Sequence, residues 1–231
     1  MNRRDALAAN LETVTRRIDD ARRAAGRTDQ VTLVVVTKFF PVSDVRLLAD
    51  LGVAHVGENR HQEAADKAAQ CAELDLTWHF IGGLQSNKAA AVAGYADVVE
   101  SVDRRKLVAP LGRGALARGQ DVDVLLQVSL DPPGATSRSG AAPEELDRLA
   151  AEVAGTPGLR LRGLMAVAPL GEEPDSAFTR LAEVRTGFLA AHPTAGVLSA
   201  GMSGDLESAV RHGATHVRIG SAVLGPRPVI K

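Results

Sequence analysis

The sequence is short of the residues that usually announce chemistry: one cysteine, one tryptophan, one tyrosine and 3% aromatics in 231 residues. A lone Cys71 closes no internal disulfide and supplies no cysteine-rich metal site. It lies in the helical pattern EAADKAAQCAEL with no basic neighbour, and so reads as a helix residue rather than a nucleophile. With aromatics scarce, Ala, Val and Leu must build the core. An excess of one charge is missing too. Against 27 Lys and Arg stand 28 Asp and Glu, a net charge of −1 that excludes a broadly basic nucleic-acid surface but not a local site for a small anion. No run approaches the ~20 apolar residues of a membrane span. The arginine-rich N-terminus carries Asp5, Glu12, Asp19 and Asp20, unlike an acid-poor transit peptide or an apolar signal peptide. HxH and HExxH spacings are absent, so no metal site is expected. These absences predict a cytoplasmic protein.

What is present is a regular alternation. Strand-like runs fall at 31–38, 54–59, 76–82, 97–102, 122–130, 161–167, 196–201 and 216–224. Helix-like stretches fall between them, at about 43–51, 60–73, 86–94, 103–118, 142–154, 175–191 and 204–212. Ser43, Ser86 and Asp103 stand where capping residues open helices, and Gly52, Gly94 and Gly213 where glycines end them. Apolar strands separated by helix-length crossovers imply parallel pairing with both faces covered. Eight strands predict a single α/β domain over 1–231, a (β/α)8 TIM barrel. The chain reaches GPRPVIK with no eighth helix expected, and an extra N-terminal helix, about 3–25, would fill that outer position.

Barrel sites form at the carboxyl ends of the strands, with phosphate groups commonly bound after strands 7 and 8. Strand 7 runs into GMSGD and strand 8 carries RIGS. Gly201 permits close backbone approach, Ser203 offers a hydroxyl and a helix starts near Asp205, which fits either an anion site or a plain N-cap by Ser203. Gly220 and Ser221 at the neighbouring strand end favour the anion. Arg218 shares a face with Gly220 and, facing the interior, must be ion-paired or bound to a ligand. Lys38 ends the apolar run VTLVVVTK. There it is either a rim lysine or an amine poised for a Schiff base with a carbonyl ligand. Gln85, Ser86, Asn87 and Lys88 suit supporting hydrogen bonds; Trp78 and His79 read as packing residues.

The ordered set VVVTK, VGEN, WHFIGGLQSNK, SRSG, GLMAV and LSAGMSGDLESAVRHGATHVRIGSAVLG, spread over about residues 8–227, resembles the pyridoxal 5′-phosphate (PLP) homeostasis proteins. These are similar to the N-terminal barrel of bacterial alanine racemase. The resemblance implies a (β/α)8 barrel holding PLP, with Lys38 as the aldimine lysine. It implies phosphate binding by Ser203, Gly220 and Ser221 with backbone help at Met202, Asn59 close to the pyridine ring, and Arg218 facing the ring nitrogen. The chain departs from the family at Arg138, where a lysine is usual and an imine is now ruled out. It departs also at Leu224 in place of phenylalanine and at Gly83 in place of a bulkier residue.

A PLP enzyme needs the electron sink and a placed acid or base. Arginine at the ring nitrogen weakens the sink. Racemases take a second base from an additional domain, whereas this chain stops at the barrel and its one tyrosine, Tyr95, is poorly placed. The expectation is a non-catalytic protein that holds PLP and delivers it to apoenzymes. It would be a monomer or weak dimer, with no nucleic-acid or membrane partner. The alternative is an amino-acid racemase or lyase in which water or Lys38 alone moves protons. A third reading is a Schiff-base aldolase-type barrel without PLP.

Overall fold

The computed structural model describes residues 2–131 and 139–226. Strands β1 Thr32–Val36, β2 His55–Glu58, β3 Thr77–Phe80 and β4 Val98–Val102 lie parallel and side by side in chain order. The order continues through β5 Val122–Gln127, β6 Leu159–Met165, β7 Val197–Ser199 and β8 His216–Ile219. β8 then pairs with β1, Thr32 opposite His216 and Val35 opposite Ile219, so the predicted barrel closes. Helix α1 Arg3–Ala24 precedes β1. The crossovers carry α2 Val42–Asp50, α3 His61–Gln70, α4 Ala89–Ala93, α5 Val108–Arg118, α6 Leu146–Ala154, α7 Pro174–Ala191 and α8 Leu206–Arg211.

Strand alternation sorts the side chains into two environments. Val217 and Ile219 of β8 join Val35 of β1 in an apolar cluster with Leu7, Val14 and Ile18 of α1. Each such buried side chain contributes about 1.5–3 kcal/mol over leaving it in water. The intervening residues His216 and Arg218 turn the other way, into the barrel. Helix α1 thus occupies the outer position expected of it. It also reaches the two segments that end the barrel. Asn10 Nδ2 donates to Val223 O at 2.9 Å, Arg3 Nη2 to Leu224 O at 3.1 Å and Arg17 Nη2 to Ser203 O at 3.1 Å.

Several boundaries differ from the local signals. Helix α2 starts at Val42 after Pro41, not at Ser43, because proline pre-sets the entry φ (−71°) and its carbonyl accepts from Asp44 N at 3.0 Å. Residues 85–88 curl into a turn closed by Lys88 N on Gln85 O, so α4 begins at Ala89 rather than near Ser86. Asp103 leads into a 3-10 turn, Arg105–Leu107, before α5. Strand β6 begins at Leu159, ahead of the expected 161. The expected strand 216–224 breaks at Gly220, whose φ of −110° and ψ of −80° leave the extended region. Ser221–Leu224 form one helical turn, α9, so a short helix does follow the last strand. Leu224 is buried against α1 in the same apolar cluster.

Candidate functional site

At the carboxyl ends of β1, β7 and β8 a cleft of about 280 Å³ is lined by Lys38, Met202, Ser203, Arg218, Gly220 and Ser221, with apolar walls from Val36 and Ile81. Six of the seven residues singled out from the sequence therefore meet in one place. Lys38 follows β1 in a turn, half-buried, its Nζ 6.0 Å from the centre of the Phe39 ring. The GMSGD segment is bent by Gly201, which has φ +94° and packs so closely that a side-chain carbon there would come within 2.6 Å of Ala209 Cβ. Asp205 Oδ1 accepts from Met202 N at 2.5 Å, and it is Asp205 rather than Ser203 that stands at the start of α8.

The seventh residue, Asn59, does not line that cleft. It follows β2, the strand beside β1, and its backbone is pressed against Gly82. A side-chain carbon at Gly82 would meet the Asn59 carbonyl oxygen at 2.2 Å. Asn59 Oδ1 is buried and has no hydrogen-bond partner among the described residues. The polar run 85–88 forms the turn into α4 and none of its residues lines the cleft. The Arg138 substitution lies outside the described residues.

Beneath the cleft the barrel interior is polar. Glu100 of β4 is fully buried; its carboxylate accepts from His79 Nδ1 at 2.7 Å and from Ser199 Oγ at 2.6 Å. Arg218 Nη1 donates to Ser199 Oγ at 2.7 Å, Nη2 to Ala166 O at 2.8 Å, and the guanidinium lies 3.8 Å from Glu100 Oε2. His79 Nε2 meets His55 Nδ1 at 3.0 Å. Since a carboxylate only accepts, His79 Nδ1 carries a proton. Burial by itself pushes the Glu100 carboxyl up, but the His79 hydrogen bond, the charges of His79 and Arg218 and the Ser199 hydroxyl outweigh it and hold the group at about 2. Burial pushes His216 down to about 4, against the pull of Glu100. His79 is thus part of a hydrogen-bonded chain and not a packing residue. Glu100 was findable: a charge inside the apolar strand DVVESV needs a partner for the same reason as Arg218.

A second buried group sits behind Lys38. Lys67 of α3 donates to Thr37 O at 2.8 Å, Glu58 Oε1 at 2.6 Å and Glu63 Oε1 at 2.7 Å. Glu58 also accepts from Thr37 Oγ1 at 2.7 Å. Its only signal in the sequence is the Glu63–Lys67 spacing of one helical turn. Cys71, just past α3, is buried, and burial raises its thiol pKa. Among the described residues no cluster of His, Cys, Asp and Glu could hold a metal ion, and no helix is long and apolar enough to cross a membrane.

A closed parallel barrel with a lysine after the first strand and small residues after the last two has the build of the alanine racemase N-terminal domain. The family model described as "Alanine racemase, N-terminal domain" matches residues 4–228. The solved alanine racemase of Corynebacterium glutamicum shares the fold, with a TM-score of 0.67 at 17% identity over 97% of this chain and 62% of that one. Within that class the relatives are more specific. The chain is 43% identical to the pyridoxal phosphate homeostasis protein of Mycobacterium leprae, over 97% of this chain and 94% of that protein. PipY of Synechococcus elongatus, solved with PLP bound, superposes with a TM-score of 0.80 at 32% identity, over 95% of this chain and all (100%) of that one. The chain belongs to the pyridoxal phosphate homeostasis protein family.

Proposed function

We propose that this chain holds PLP as an imine of Lys38 and keeps it in the cytoplasm for cofactor-requiring apoenzymes, without turnover of its own. The observation that carries this reading is the convergence of Lys38 with two small, hydroxyl-bearing segments, Ser203 and Gly220–Ser221, in one cleft. At about 280 Å³ it lies near the lower end, about 300 Å³, of small-molecule sites. The residues present fit the group. Lys38 brings an amine to the cleft, Ser203 and Ser221 offer hydroxyl donors to a phosphate, and Gly220 packs where a side-chain carbon would come within 3.3 Å of Val36 O.

Bound PLP supplies an aldehyde carbon and a pyridine ring able to draw electrons. Lys38 would supply the amine for that aldehyde, with loss of one water on binding and its return on release. Arg218 carries only donors and keeps its proton, so beside a ring nitrogen it would orient the ring without strengthening it as an electron sink. Tyr95 is no substitute for a second base. Its ring stacks on His61 at 5.8 Å, and burial, with Glu58 nearby, raises its hydroxyl well above the usual tyrosine range.

The test is an absorption spectrum before and after borohydride, with peptide mass mapping and an assay for amino-acid conversion. A chromophore fixed by reduction onto Lys38, with no conversion, is the expected result. A protein that binds no PLP sinks the reading; sustained conversion replaces the carrier with a racemase or lyase. Arg17 offers a milder test. Its side chain pairs with Glu207 at 2.8 Å and holds the Ser203 carbonyl. Arg17→Ala is expected to weaken PLP binding about three-fold, consistent with the ~0.2–1 kcal/mol of a partly exposed pair, with the melting temperature nearly unchanged. Equilibrium dialysis measures it, and unchanged affinity would show that α1 does not steady the Ser203 segment.

A further inference from the structure

The turn that carries Lys38 is gripped on both sides. The peptide before Lys38 is held through its carbonyl, Thr37 O, by Lys67 Nζ at 2.8 Å. The peptide after it is held through its amide, Phe39 N, by Glu63 Oε1 at 2.6 Å. Anchoring both flanking peptide planes fixes the φ and ψ of Lys38 and hence the direction in which its side chain leaves the backbone. Lys67 itself cannot drift. It is 4% exposed and its ammonium is shared between Glu58, which is 1% exposed, and Glu63. Glu58 ends β2 and Glu63 opens α3, so the grip is referred to two rigid elements. It also holds strain. Phe39 has φ +71°, a left-handed conformation that a side chain with a bulky ring resists and that persists only where its surroundings over-determine it.

We propose that Lys67, together with Glu63, is a positioning residue for Lys38: the buried Lys67–Glu58–Glu63 group holds the strained 37–39 turn so that the Lys38 amine meets a carbonyl carbon seated in the cleft. This rests on the reading of Lys38 as the imine-forming residue. The segments proposed to face the phosphate follow β7 and β8, not β2 or α3, and make no hydrogen bond to this group among the described residues. Loss of the grip should therefore slow imine formation and leave the non-covalent part of binding alone.

Lys67→Met removes the donor to Thr37 O, and Glu63→Leu removes the acceptor for Phe39 N while leaving the Lys67–Glu58 pair. Glu63→Gln keeps a carbonyl oxygen for Phe39 N. The rate of imine formation from added PLP is followed by rapid-mixing absorbance. The affinity for pyridoxine 5′-phosphate, which has the ring and phosphate but no aldehyde, is measured by calorimetry on the same proteins. The expected result is a rate lower by about ten-fold or more in Lys67→Met and Glu63→Leu, as misplacement of a reacting group by a fraction of an ångström would give. Most of it should return in Glu63→Gln, with pyridoxine 5′-phosphate affinity within about two-fold of wild type throughout. If Lys67→Met does not fold, the Glu63→Leu and Glu63→Gln pair decides alone. Wild-type rates in the variants overturn the positioning role and leave the cofactor reading standing. An equal fall in pyridoxine 5′-phosphate affinity also overturns it, by making the group a brace for the whole cleft. Absence of any Lys38 adduct in the wild-type protein overturns the cofactor reading itself.

Discussion

Lys38→Ala is expected to leave a folded protein that no longer holds PLP covalently. The residues proposed to face the phosphate, Ser203, Gly220 and Ser221, and the Arg218 guanidinium are untouched by the change, so weak, reversible binding should persist. What disappears is the proposed imine, whose breaking needs chemistry. Retention through gel filtration should fall by on the order of 100-fold, equivalent to about 2.7 kcal/mol. Borohydride should fix no label to the 37–39 turn. Stability should change by about 0.5 kcal/mol or less, because Lys38 is a half-buried turn residue and the bonds from Lys67 and Glu63 that hold the turn go to Thr37 O and Phe39 N. Retention of the chromophore in Lys38→Ala, with label on another lysine, would move the site elsewhere.

The fold was legible because it is written locally and repeatedly. Each apolar strand run has a matching strand in the barrel, and the helix-length spacing between runs leaves parallel closure as the natural solution. The errors fall where a short-range cue met a longer-range one. Ser43 is a good capping residue, but Pro41 already sets the entry to α2. VRIGSAVL reads as continuous strand, yet Gly220 breaks it and Ser221–Leu224 turn back under α1. In the cleft, the residues read from the sequence lie at strand ends and come together once the barrel closes. The supporting groups were hidden because their partners are far apart in the chain. Lys67 reaches back to Thr37, Ser199 reaches across to Glu100, and Arg17 reaches from the first helix to Ser203. No periodicity encodes such pairs. A buried charge in an apolar strand does announce that a partner exists, and by that rule Arg218 and Glu100 call for each other.

Their pairing sets the largest expected stability effect. Glu100→Gln keeps the size of the side chain and removes its charge, leaving Arg218 buried with only Ser199 Oγ and Ala166 O as acceptors. Breaking a buried pair from one side costs about 3–5 kcal/mol, so the variant should unfold at markedly lower denaturant at pH 7. The pH dependence separates this charge effect from simple misfit. In the wild type the Glu100 carboxyl sits at about 2 in the fold and near 4.5 when unfolded, so its contribution is complete above 4.5 and is lost as pH falls towards 2. The loss amounts to roughly 3 kcal/mol. His216 acts earlier. Held at about 4 by burial, it stays neutral in the fold while the unfolded chain takes up a proton below 6.5, so stability also falls between 6.5 and 4. Wild-type protein should therefore lose stability in two overlapping stages on acidification. Glu100→Gln should lack the lower stage. Its upper stage should extend to lower pH, because Glu100 is the charge that favours protonated His216. Denaturant midpoints for both proteins at pH 7, 5 and 3 measure all of this. A variant as stable as wild type at pH 7, or one that falls as steeply between 4.5 and 2, would mean that Arg218 draws its compensation from somewhere other than Glu100.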